Sequence, residues 1–93
     1  MNLRISNVTI LYVYLEWDKV PQAIGYWLFK DNQRVSWIGN PDQTTTRFLK
    51  PLFGSVMYGV MAILPGIRGE VHYPVGQAVK ADPLMPLRGG NSG

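Results

Sequence analysis

The side chains able to do chemistry are few, and their spacing does not gather them. The chain carries one histidine, His72, and no cysteine. A Cys/His nucleophile pair, a thiolate metal site and a multi-histidine site are therefore all excluded. Without cysteine there is also no disulfide framework, and the fold must rest on its apolar core. Six carboxylates, Glu16, Asp18, Asp31, Asp42, Glu70 and Asp82, fall mainly in turns or at strand ends. Glu16 and Asp18 can share a face and hold a cation, but calcium takes about six to eight oxygens and two carboxylates supply a thin set. The stretch Pro65-Gly66-Ile67-Arg68-Gly69 opens no helix, so it lacks the amide cradle and dipole that a phosphate loop requires. It reads as a hairpin turn. No catalytic group, metal or cofactor is expected from this inventory.

The elements that would have to position any site are read from composition and pattern. The 93 residues amount to one domain. Charged residues are 16% of the chain, against ~25% in ordinary soluble domains, and hydrophobic residues are 46%. More apolar area than usual must therefore lie at the surface. The net charge is +3, but the cations are scattered singly, with no basic run of the kind that grips nucleic acid. Apolar runs are cut within about ten residues, well short of the ~18–20 needed to cross a bilayer. Residues 1–5 enter strand-like alternation with no secretory leader, so synthesis in the cytoplasm without a signal peptide is expected.

Ten glycines and seven prolines punctuate segments rich in β-branched and aromatic residues, which predicts strands rather than helices. The clearest is 11–17, where Leu11, Val13, Leu15 and Trp17 alternate with Tyr12, Tyr14 and Glu16. Further strands are expected at 3–8, 24–30, 34–38, 44–48 and 56–64. Asp31-Asn32 forms a hairpin turn between two of them. A last strand at 70–79 contains Pro74, which marks an edge or a bulge. The expected fold is all-β, a seven-stranded antiparallel β-sandwich over residues 1–80. An extended Pro/Gly-rich tail follows at 81–93, with its end disordered.

The order of landmarks resembles a fibronectin type III domain over residues 3–79. Trp17 closes the second strand, Gly25-Tyr26 opens the third, and the run from Leu49 through Pro51 and Gly54 leads to Tyr58 in the sixth. The resemblance implies that Tyr58 is a tyrosine-corner residue bonding back to the loop backbone. It also implies binding, adhesion or spacing in place of catalysis. The family's usual Leu-x-Pro-Gly-x-x-Tyr phrase is altered here, with Leu52-Phe53-Gly54 lacking the proline beside the glycine.

In that arrangement Tyr26, Leu28, Tyr58, Val60 and Ala62 face inward. Alternation then sends Trp27, Phe29, Met57, Met61 and Ile63 outward, and either Trp37 or Val35 extends the patch while the other enters the core. Such a face would expose on the order of 400–600 Å² of apolar surface. Leu84, Met85 and Leu87 in the proline-rich tail suit an arm lying on an apolar surface of its own chain or of a neighbour. The expected protein-binding residues are thus Trp27, Phe29, Trp37, Met57, Met61, Ile63, Leu84, Met85 and Leu87. Their expected partners are other proteins, as virion subunits of a phage particle or copies of the chain in an oligomer or lattice, with no role for nucleic acid or membrane. A second reading is an adhesion or carbohydrate-binding module, with Trp27, Trp37, Tyr12 and Tyr14 stacking on sugar rings.

Overall fold

The computed structural model describes residues 3–87. The described residues form eight strands and no helix: β1 (Arg4–Val8), β2 (Tyr12–Glu16), β3 (Gly25–Lys30), β4 (Gln33–Ile38), β5 (Thr45–Leu49), β6 (Val56–Gly66), β7 (Gly69–Pro74) and β8 (Val79–Ala81). No helix long and apolar enough to cross a membrane is present among them. One antiparallel sheet has the order β1-β2-β5, and the other runs β4-β3-β6-β7 with β8 also on β6. Tyr58 pairs with Lys30 of β3 and Val79 of β8, while Met61 pairs with Trp27 of β3 and Pro74 of β7. Thus β7 and β8 occupy the same edge of β6. They are one expected strand interrupted after Pro74, where Val75 turns into the core and Gly76 takes a φ of 72°.

The sheets pack face to face as the period-two pattern demands. Val13 and Leu15 from β2 meet Tyr26 and Leu28 from β3 and Tyr58, Val60 and Ala62 from β6, all buried in one cluster. Two aromatic pairs bridge the layers. Trp17, just beyond β2, sits edge-on to Tyr26 at 5.4 Å between ring centroids, and Phe48 of β5 stacks on Tyr58 at 4.5 Å. The Trp17 indole N–H is buried and meets no acceptor, so apolar contact alone holds that ring. Both tyrosines keep their hydroxyls satisfied. Tyr26 accepts from the Val20 N–H at 3.2 Å and donates to the Pro41 carbonyl at 2.9 Å. Tyr58 donates to the Leu49 carbonyl at 3.4 Å, across the loop that joins β5 to β6. Burial, reinforced by Asp31, pushes the Tyr58 phenol above its ordinary pKa.

Local departures from strict alternation revise several expectations. Leu11 is exposed, because Thr9 closes the β1–β2 turn by accepting the Tyr12 N–H on its hydroxyl and donating its own N–H to the Tyr12 carbonyl. Neither Val35 nor Trp37 enters the core. The register slips between Leu28 and Phe29, leaving Val35 as the extra residue of a bulge, and Ile38 is the inward residue of β4. β6 continues through Pro65 to Gly66. Ala81 is fully buried and pairs with Val56, so the sandwich ends one residue later than 80. The end of the tail, 88–93, lies outside the described residues.

Tyr26→Phe should keep the fold but orphan the Val20 N–H and the Pro41 carbonyl. Urea unfolding is expected to register a loss of about 1–3 kcal/mol.

Candidate protein-binding surface

The outer face of the larger sheet is built largely as expected, but it covers itself. Trp27 and Trp37 are directly cross-strand, with ring centroids 5.1 Å apart and planes inclined by 50°. The Arg34 guanidinium lies 4.8 Å from the centre of the Trp27 ring, a cation–π contact that shields its apolar face. On the other side Trp37 leans over Gly25: a Cβ there would stand 2.5 Å from the indole and 2.5 Å from the Ile38 carbonyl oxygen. The missing side chain is thus the seat of the ring. Ile63, the cross-strand neighbour of Gly25, is fully buried without belonging to the main core cluster. Ile63 is therefore not part of the exposed surface.

What remains open on this face is small. Phe29, Gly59, Met61, Pro74, Gly76 and Ala78 frame a shallow depression of about 260 Å³ beside the β7–β8 break. Gly59 lies in its floor, where a Cβ would stand in ordinary contact with the Phe29 Cβ at 3.7 Å. Met57 and Trp37 are exposed, whereas Trp27, Phe29 and Met61 are only half-exposed. The described part of the tail, through Leu87, lies instead beside Leu11 and Leu49.

The larger apolar surface is at the end of the sandwich, where three segments distant in sequence converge. The β1–β2 turn presents Ile10 and Leu11. The end of β5 and the loop after it present Leu49, Leu52 and Phe53, and the tail adds Leu84 and Leu87; all are exposed, Leu52 at 87% and Leu84 at 89%. Lys50 ties the segments together: its N–H donates to the Leu11 carbonyl at 2.7 Å, and its ammonium donates to the Met85 carbonyl at 3.1 Å. Asp82 turns the tail by accepting the Leu84 N–H on its carboxylate, and the Met85 N–H returns to its carbonyl. That turn puts Met85 against the core and Leu84 in solvent. Met85 is accordingly an anchor of the arm in its own chain. Between the segments runs an open groove of about 470 Å³ lined by Ile10, Leu11, Leu49, Pro51, Leu52, Pro83 and Leu87, with Lys50 at its wall. Sequence reasoning missed Ile10, Leu11, Leu49, Leu52 and Phe53. The available signal was aliphatic residues placed in turns, where polar ones are usual.

Glu16, Asp18 and His72 do not line this groove. Glu16 and Asp18 both pair with Arg4, at 3.2 and 3.3 Å. His72 stands half-exposed on β7, 3.9 Å from Glu70. Among the described residues, no three acidic or histidine side chains come together in a way that could hold a metal ion. Comparisons with protein families, with characterised proteins and with solved structures found no match to this chain.

Gly25→Ala should force the Trp37 ring off its seat. It is expected to red-shift tryptophan emission and to cost about 1–3 kcal/mol in chemical unfolding.

Proposed function

We propose that this chain is a non-enzymatic structural module, a seven-stranded fibronectin type III-like sandwich that assembles with copies of itself or with other subunits of a particle. The observation that carries the reading is the apolar end. Its exposed side chains, at roughly 100–150 Å² each, offer on the order of 800 Å², the share one partner gives to a standard specific interface. A surface of that extent is large for a solitary soluble monomer. The fibronectin type III-like part of the reading is supported by three- and five-stranded sheets in which β7 and β8 count as one edge strand. The Tyr58 hydroxyl reaching the Leu49 carbonyl supports it further. A phage virion is the setting that the resemblance suggests for such a module.

The aromatic arrangement does not favour sugar binding. Trp27 and Trp37 lie on the larger sheet and are tilted against each other. Tyr12 and Tyr14 lie on the other sheet, where the Arg47 guanidinium sits 4.2 Å above the Tyr12 ring. The four do not form one platform for a sugar ring.

In sedimentation runs over a concentration series, the wild-type chain should associate, and Leu52→Asp should weaken that association about 30-fold or more. A Leu52→Asp protein that associates like wild type would remove the apolar end from the reading. A wild-type chain that stays monomeric at high concentration and binds no particle or lattice would remove the assembly role.

A further inference from the structure

We propose that the groove at the apolar end receives the β6–β7 hairpin tip of a second copy, so that copies join head to tail. This inference rests on the end being an assembly surface and names its occupant. The two features sit at opposite poles. β6 starts beside the loop that carries Leu52 and ends at the hairpin turn, and its 11 residues span roughly 35 Å at ~3.3 Å each. The molecule is 45 Å long.

The tip has the form of a knob. Ile67 is fully exposed in a two-residue turn flanked by the paired Gly66 and Gly69. A Cβ on Gly66 would stand 2.4 Å from the Gly69 carbonyl oxygen, and Gly69 takes a φ of 127°. Both glycines are needed to close the turn so tightly, and a tight turn holds Ile67 in place before any contact is made. All six residues of β7 are exposed, Val71 and Tyr73 included, and β6 becomes exposed at Pro65 and Gly66, so the tip itself lies in solvent. Its apolar tip and stalk suit an apolar cleft, and about 470 Å³ lies within the ~300–1,000 Å³ typical of clefts that hold a ligand.

Charge is compatible with the same docking: Lys50 lines the groove with Asp82 next to the groove-lining Pro83, both also bonded to the tail backbone, and Arg68 and Glu70 stand within three residues of Ile67 as their opposites. The residues that follow the groove-lining Leu87, Arg88-Gly89-Gly90-Asn91-Ser92-Gly93, bring no apolar side chain to it. A groove-on-groove dimer would leave the Ile67 knob in water. Knob into groove is a heterologous contact, which propagates as a filament or closes as a ring.

The test uses two exposed substitutions and their mixture. Ile67→Asp should lose the knob and Leu52→Asp the groove, each weakening self-association about 30-fold or more as read by sedimentation velocity. Mixed in equal amounts they should form a one-to-one pair of near wild-type strength that grows no further, since the intact knob of one fits the intact groove of the other. If Ile67→Asp assembles like wild type while Leu52→Asp does not, the hairpin is not the occupant and the end surface stands. If both variants are monomeric and their mixture stays monomeric, the contact is isologous and the head-to-tail inference falls. Assembly of Leu52→Asp at wild-type strength overturns the underlying reading of the groove itself.

Discussion

The buried Tyr26 hydroxyl is the interaction on which the frame depends. Its ring lies in β3 against Trp17, while its oxygen holds the Val20 N–H from the crossing between the sheets and the Pro41 carbonyl from the return crossing. One side chain thereby fixes two of the three connections that carry the chain from one layer to the other. With no disulfide to close those loops, the alternative would be two sheets joined only by apolar contact, which resists separation but does little to set register. Tyr58 does a smaller version of the same work at the opposite end, where its hydroxyl reaches Leu49 and its ring stacks on Phe48.

Such a frame is legible in sequence wherever side chains keep the period of two. Val13, Leu15 and Trp17, or Tyr58, Val60 and Ala62, face the core because neighbours on both sides alternate without interruption. The reading failed where one residue broke the count. Val35 in its bulge and Leu11 in a turn closed by Thr9 were assigned by a periodicity that local structure had already ended, while Met85, in an aperiodic tail, packs against its own core behind the Asp82 turn. Ile63 differs again: it alternates with the inward Ala62 as expected, yet it is fully buried opposite Gly25. The apolar end was illegible for a third reason. It is assembled from three aperiodic segments, and their convergence depends on Lys50 bonding to Leu11 and Met85.

The low charge content implied apolar surface without saying where, and the structure distributes it unevenly. Each broad outer face carries an arginine laid over an aromatic ring, Arg34 on Trp27 and Arg47 on Tyr12. A guanidinium over an aromatic face keeps a hydrated cation where a partner would otherwise gain contact. The sheet edges are guarded too. β4 has its bulge and Arg34, and β7 has Glu70, His72 and Pro74, features that discourage one sheet from extending another.

With faces and edges so covered, the unprotected apolar side chains concentrate at the poles of an elongated molecule, Ile67 at one and the Ile10, Leu52 and Leu84 group at the other. Lateral packing would have to desolvate arginines and edge backbone, whereas polar contact removes mainly aliphatic surface from water. The difference decides geometry before it decides affinity. On the proposed assembly, a sandwich whose sides are solvated and whose ends are unlike would add along its long axis. The same tight turn that lets β6 and β7 pair without a loop supplies the projecting residue for that addition.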